Sequence, residues 1–306
     1  MSAHLLSVVM PTRNRPDKLE RAARSVLSQH ATEIELVIVD DASTDDTPHI
    51  SARLADDPRV QVLRNDESLG PGGSRNRGIT AAQGDLLAFC DDDDAWLPGA
   101  AGIIAERFDA DTAIGVVTAW HQVVHDRTGR TAVYRGPLEY GARQLLWFNF
   151  VALPFGVIRR EMFDDDLAVD PDLPSCEDWD LWLRCALTRP IATVPHVLYA
   201  YHQHGEVRVT RVGSAFVVGR QRFLDKHAGH MTAACRRYHE LVVAQLERGR
   251  AGVFEGLAAD YRTPIAATVA GTLLAAGAAT SAVGMRRGDP GLTARMMATL
   301  LKGDRR

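Results

Sequence analysis

The stretch Asp85-Leu86-Leu87-Ala88-Phe89-Cys90-Asp91-Asp92-Asp93-Asp94-Ala95-Trp96-Leu97-Pro98 runs from a short apolar segment straight into four consecutive carboxylates. A continuous apolar run of this length, stopped by polar residues, reads as a strand buried on both faces. Three similar runs precede it, Leu5–Met10, Glu35–Val39 and Val60–Leu63, with helix-like stretches between them. Pro11 to Arg15 breaks the first run. Pro16 then suits the first turn of a helix to about Gln29, with Leu19, Ala22, Ala23 and Val26 on one face. Residues 42–47 (ASTDDT) offer caps for a helix over about Thr47–Ala55, and a Gly-rich turn precedes a helix expected over Arg75–Ala82. Three such βα units predict an α/β fold, a parallel sheet covered by helices on both faces. Ligands of such sheets bind just beyond the carboxyl ends of the strands. Here those ends are residues 11–15, 40–46 and 91–94, so polar and acidic side chains converge on one rim.

The middle of the chain is more irregular. Ile114–Val124 and Phe155–Ile158 read as strands, Gly141–Asn149 as a short helix or turn, and Asp178–Leu187 as an aromatic helix after an Asp- and Pro-rich loop. Val197–Tyr201 is followed by a polar stretch, residues 202–210. From about Ala215 the pattern turns helical and rich in Ala and Arg, which divides the chain into residues 1–212 and a helical region 213–306.

Composition narrows the function. The 35 Lys and Arg nearly balance 39 Asp and Glu, which supplies no electrostatic case for a nucleic-acid partner. Cys90, Cys176, Cys185 and Cys235 form no CxxC pair, which fits a reducing cytoplasm rather than a disulfide framework. The apolar run at the N-terminus is too short for a signal peptide. Thr263–Met285 carries no charge and is long enough to span a bilayer, but its Ala, Gly and Thr drive insertion weakly. It reads as a packed helix. Contact with the inner face of a membrane is the second reading and a true span the third.

At the rim, four adjacent carboxylates repel one another unless a cation or hydrogen bonds compensate. Along an extended strand end Asp91 and Asp93 would point to one side and Asp92 to the other, a pair suited to a hard divalent ion carrying a diphosphate. The plain alternative is a solvated acidic turn. Asp40 and Asp41 offer acceptors for a base or ribose, or an Asx turn. Residues 70–75 (GPGGSR) allow close backbone approach, with Arg75 able to pair with phosphate, yet they match neither the dinucleotide fingerprint nor a P-loop. Glu177 and Asp178 start a helix, where a carboxylate is a cap or a general base. His204 is a lone histidine, either solvated or a ligand.

Five ordered stretches, SVVMPTRNR (7–15), VIVDDASTDDT (37–47), NDESLGPGGSRNRGITAAQGD (65–85), LLAFCDDDDAWLP (86–98) and CEDWDLWLR (176–184), together resemble a family 2 glycosyltransferase of the GT-A fold. The resemblance covers about residues 5–210. It implies a Rossmann-like, mostly parallel sheet in a nucleotide-sugar-binding catalytic domain over 1–212, with a helical C-terminal extension. It also implies transfer of a sugar from a nucleoside diphosphate donor, with UDP the expected nucleotide, to an acceptor hydroxyl or amine with inversion. By similarity Pro11, Thr12 and Arg13 lie along the base and ribose, Asp40 binds the base, and Arg75 contacts the nucleotide. Asp91, beside Asp92, contacts ribose or diphosphate, and Asp93 ligates Mg²⁺ or Mn²⁺ with His204 near the diphosphate. Asp178 of the Glu177-Asp178 pair is the implied base. Four aspartates stand where D-x-D-D is commoner, and His202 stands where many relatives carry Arg.

The acceptor is expected to be a saccharide, a lipid-linked sugar or a small natural product, with the C-terminal helices serving as a lid, a homodimer surface or a peripheral membrane contact. Rival readings are an inactive nucleotide-sugar-binding scaffold, a metal-dependent nucleotidyltransferase, and a phosphatase using Asp91 and Asp93. The last needs a downstream lysine near the site, and lysine is almost absent between residues 19 and 225.

Overall fold

Strand β1 (Leu5–Thr12) buries Leu6, Val8, Val9 and Met10 completely, as its uninterrupted apolar run requires. Helix α1 (Pro16–Leu27) follows and buries Leu19, Ala22, Ala23 and Val26, the face expected from the helical period. The computed structural model describes residues 4–149, 153–163, 168–204 and 214–248. The chain continues through β2 (Glu33–Asp40), α2 (Thr47–Leu54), β3 (Val60–Arg64), α3 (Gly70–Ala81), β4 (Leu86–Phe89), β5 (Ala95–Trp96) and α4 (Ala100–Ala110). Then come β6 (Val116–His125), β7 (Arg130–Tyr134), β8 (Glu139–Tyr140), α5 (Ala142–Leu145), β9 (Gly156–Arg159), α6 (Glu177–Thr188), β10 (Ile191–Gln203), α7 (Ser214–His227) and α8 (Ala233–Arg248).

The strands form one sheet in the order β3-β2-β1-β4-β9-β6-β10-β5, with β7 on β6 and β8 on β10. β3, β2, β1 and β4 are parallel, in the register Val9↔Val37 and Val9↔Phe89. β9 runs antiparallel between β4 and β6. The carboxyl ends of β1, β2 and β4 therefore lie side by side, which is what gathers the rim.

Two local readings are corrected. The helix expected from Arg75 starts at Gly70, because Pro71 fits its first turn and Gly70 takes the left-handed backbone (φ +71°) just before it. Arg75 thus sits inside a helix and is buried. The four aspartates do not prolong a strand: β4 stops at Phe89, and the amide of Asp94 donates to the Asp91 carbonyl (3.1 Å), closing a turn.

Helices α7 and α8 share the core of the sheet domain. Phe223 stacks on Trp179 with ring centroids 4.4 Å apart, and Phe223, Leu224, Met231 and Cys235 belong to the same buried cluster as the strands. Beneath them Asp180, fully buried, meets His227 Nε2 (2.8 Å), Lys226 Nζ (2.9 Å) and Arg184 (2.8 Å). All four cysteines are free and buried. Among the described residues no helix is long and apolar enough to cross a membrane; Thr263–Met285 lies outside them.

Candidate active site

A cavity of about 910 Å³ opens between the ends of β1 and β4, the start of α3 and the start of α6. Pro11, Thr12, Arg13, Arg75, Asp91, Asp92, Asp93, Glu177 and Asp178 all line it. These belong to the sequence-predicted set, drawn together from positions as far apart as 11 and 178.

The aspartate turn sorts its carboxylates by role. Asp91, Asp93 and Asp94 place oxygens within 4.8 Å of one another, a hard-oxygen set that fits a divalent cation. Asp94 lies behind the other two: it is 2% exposed, and the His202 amide donates to its Oδ1 (3.0 Å). Asp91 and Asp93 therefore face the cavity. Asp92 also lines the cavity but is not part of this set. Its Oδ2 accepts from Thr12 Oγ1 (2.8 Å) and its Oδ1 from Arg15 Nη1 (2.8 Å). Burial outweighs these partners and pushes the Asp92 carboxyl up to about 6. His204, at the end of β10, brings Nε2 to 2.6 Å from Asp93 Oδ2, the oxygen that also accepts from Arg15 Nη1 (3.0 Å).

The two aspartates ending β2 divide their duties. Asp40 is buried, its Oδ1 taking the Ser43 amide (3.0 Å) and its Oδ2 paired with Arg64, and it does not line the cavity. Asp41 does. It accepts from Asn65 Nδ2 (2.7 Å), Ser68 Oγ (2.6 Å) and the amides of Leu69 (2.8 Å) and Gly70 (3.1 Å). Burial alone would raise its carboxyl; these donors overcome that and hold it below the usual range. Asp41 thus ties the 65–70 loop and the start of α3 to the rim, and Arg13 reaches Ser68 on the same loop.

Arg75 joins the two acidic sides. It is 6% exposed, donates from Nη2 to Asp91 Oδ1 (2.7 Å), and holds Nη1 3.8 Å from Glu177 Oε1. Its Nε and Nη1 are buried without a hydrogen-bond partner, donors that suit an arriving anion. Burial would lower the guanidinium's proton affinity, but the charges of Asp91 and Glu177 reverse this.

Cys176 precedes α6 in the left-handed region (φ 66°), which turns Glu177 and Asp178 toward the cavity at a strained position. Asp178 accepts from the Trp179 amide through Oδ1 (2.7 Å) and from Asn149 Nδ2 through Oδ2 (2.9 Å). Burial and then the Glu177 charge push its carboxyl up to about 7, a value suited to a base working near neutrality. Across from the acids, His121 stacks between Tyr134 (4.9 Å) and Phe155 (4.4 Å), and burial lowers its imidazole to about 4. This neutral aromatic wall can receive the face of a sugar ring.

The lining residues that escaped the sequence reading include Arg15, Asn149, Arg220 and the aromatic wall of His121, Tyr134 and Phe155. Arg15 stands on the same strand-end loop as Arg13, so its place on the rim was available as a signal. Asn149 and Arg220 arrive by tertiary packing from elements with no distinguishing motif.

A mixed sheet, parallel only over β3-β2-β1-β4 and between β6 and β10 rather than mostly parallel as expected, carries a nucleotide-type rim, an acidic turn after β4 and a carboxylate pair at the start of α6, and together these define a GT-A-like α/β enzyme fold. The family model for Glycosyl transferase family 2 matches residues 7–172. The chain belongs to that family. A putative colanic acid biosynthesis glycosyl transferase, WcaA, of Escherichia coli (strain K12) is 26% identical over 261 residues, covering 80% of this chain and 89% of the relative. Among solved structures, S. aureus TarS 1–349 in complex with UDP-GlcNAc superposes with TM-score 0.63 at 20% identity, covering 87% of this chain and 79% of that one. The longer TarS chain is spanned to 44% of its length. A mannosyltransferase from Pyrobaculum calidifontis in complex with GDP-Man and Mn²⁺ superposes with TM-score 0.59 at 20% identity, covering 97% and 85%. These structural likenesses establish the fold.

Proposed function

We propose that this family 2 glycosyltransferase transfers a sugar from a nucleoside diphosphate donor, with UDP as the nucleotide, to an acceptor hydroxyl or amine by a single inverting displacement. The observation that carries this reading is one cavity holding the Asp91/Asp93 oxygens on one wall and the raised Asp178 carboxyl on the other, with Arg75 between them. Pro11, Thr12 and Arg13 line the end that would take base and ribose. Asp40 would reach the base only by releasing Ser43 and Arg64, so Asp41 is the better placed carboxylate on that strand end. Asp91 and Asp93 would hold Mg²⁺ or Mn²⁺ together with the diphosphate, His204 standing beside Asp93. When bound, that cation supplies charge stabilisation for the leaving diphosphate.

This chain's own residues supply the rest. Asp178 takes the acceptor's proton as the acceptor atom attacks the anomeric carbon, and Asn149 with the Trp179 amide fixes the carboxylate's orientation. Arg75 offers its unpartnered nitrogens to the negative charge that develops on the diphosphate. The UDP-GlcNAc complex of TarS supports the choice of nucleotide, and the GDP-Man complex of the mannosyltransferase makes GDP the natural comparison.

Calorimetric titration of UDP, GDP and dTDP, each with and without Mn²⁺, tests the donor site. Tight, metal-dependent binding of UDP that disappears in Asp93→Ala is the expected result. Failure of folded protein to bind any of the three would refute the reading.

A further inference from the structure

Four arginines line the cavity, and three are anchored to its acids or rim: Arg13 to Ser68, Arg15 to Asp92 and Asp93, and Arg75 to Asp91 and Glu177. Arg220 has no acidic partner among the described residues. It is 7% exposed, and its Nε and Nη2 are buried without any hydrogen-bond acceptor among them. Its guanidinium lies 4.8 Å from the centroid of the Trp179 ring and 5.7 Å from that of Tyr238. Leaving such donors unsatisfied is costly, and a guanidinium costs more than a neutral donor. Cation–π attraction to Trp179 and a hydrogen bond with Tyr238 offset part of this but leave Nε and Nη2 without an acceptor.

The position is built rather than incidental. Gly219 lets α7 lie hard against the loop before α6: a Cβ there would come within 2.3 Å of the Ser175 carbonyl oxygen. That close approach sets Arg220 directly over Trp179, the residue after Asp178. Its other neighbours are Tyr238 and, through Tyr238, Phe148, whose ring centroids are 5.3 Å apart. None of these comes from the β1 or β4 rim, where the donor site is proposed. Arg220 therefore stands on the acceptor side of Asp178.

We propose that Arg220 recognises an acid group of the acceptor, a phosphate or a carboxylate, so that this enzyme glycosylates an anionic acceptor. The assignment to the acceptor side rests on the donor site and base proposed above. A guanidinium fork meets either acid with two parallel N–H···O bonds, and Nε with Nη2 forms one such edge. Docking there would hold a hydroxyl of the same molecule within reach of Asp178.

The test titrates glucose 1-phosphate, glucuronate and methyl glucoside into the full-length protein, first alone and then with UDP and Mn²⁺ saturating. Wild type is compared with Arg220→Gln and Arg220→Lys. At least one acid should bind wild type tenfold or more tightly than the neutral glycoside, and Arg220→Gln should lose at least tenfold of that affinity. UDP affinity should change less than twofold. Arg220→Lys keeps the charge and stem but not the fork, so an intermediate loss separates anion recognition from damage to the fold. Whichever acid binds more tightly names the group. Equal binding of acid and neutral probes, no binding of either acid to wild type at millimolar concentration, or unchanged acid affinity in Arg220→Gln overturns the proposal. A tenfold loss of UDP affinity in Arg220→Gln overturns it too, by moving Arg220 to the donor. Failure of the donor reading is distinct: UDP then fails to bind wild type, while the nucleotide-free arm still reports on Arg220.

Discussion

Replacing Asp178 by Asn tests the base most directly, because the structure lets the fold survive it. The Asn side chain can keep Oδ1 as acceptor for the Trp179 amide, and Asn149 can flip its own amide to offer an oxygen where it now donates. What is lost is the proton acceptor. General base catalysis contributes about 10²–10⁴-fold, so turnover should fall by that factor while UDP affinity stays within about threefold. The wild-type enzyme should also carry an acid limb set by the carboxyl raised to about 7. Protonated Asp178 cannot accept the proton, so the rate rises with pH, and at pH 6 only about a tenth of the molecules hold the base ready. UDP release from a panel of UDP-sugars, with water as acceptor, followed from pH 5 to 9, reads both effects. Turnover within about threefold of wild type in Asp178→Asn, or an acid limb that persists in the variant, would refute the assignment.

Glu177→Gln removes the charge that, after burial, raises Asp178, so the acid limb should move to lower pH while Arg75 keeps Asp91 as partner; a pH–rate profile checks it. Gly156→Ala should destabilise by about 1–3 kcal/mol in urea unfolding, since the new methyl would sit 2.5 Å from Cη2 of the fully buried Trp182. Asp180→Asn removes a carboxyl that burial would raise but that His227, Arg184 and Lys226 hold at about 2 instead of 3.8, a difference of about 2 kcal/mol. That stability is present above the ordinary carboxylate range and is lost as pH falls through about 2, so the wild-type advantage in thermal unfolding should shrink between pH 4 and pH 2.

How far the sequence could be read depended on how local the cause was. β1, β2 and β4 were legible because burial on both faces demands uninterrupted apolar runs, and the parallel order followed from the helices between them. Asp91, Asp93, Arg75 and Glu177 were legible because strand ends and helix starts fix their location on the rim. The start of α3 was missed because three glycines and a proline read as a turn, whereas Pro71 in the first turn favours a helix start. The turn at Asp91–Asp94 was missed because alternation holds only while pairing continues, and β9 pairs β4 no further than Ala88. Asn149 and Arg220 were beyond reach for a different reason. Each reaches the cavity through packing between elements remote in sequence, α5 against α6 and α7 against α6, and no periodicity encodes that.

Charge around the cavity argues that nucleotide and metal bind as one unit. Its lining carries six carboxylates, Asp41, Asp91, Asp92, Asp93, Glu177 and Asp178, against four guanidiniums, Arg13, Arg15, Arg75 and Arg220. Raised proton affinity at Asp178 blunts this excess, while Arg15 and Arg75 are already committed to Asp93 and Asp91. A diphosphate entering alone would meet those carboxylates at short range, where like charges about 4 Å apart repel by about 4 kcal/mol at an effective dielectric of 20. A divalent cation held between carboxylates and diphosphate reverses the sign of that term. Chelation should therefore weaken UDP binding by about 100-fold or more, the equivalent of nearly 3 kcal/mol, while Asp93→Ala should bind UDP weakly with metal and without it. If UDP binds equally well in EDTA and in Mn²⁺, the acidic turn does not act through a cation, and the guanidiniums of Arg15 and Arg75 must release their carboxylates to receive the diphosphate directly.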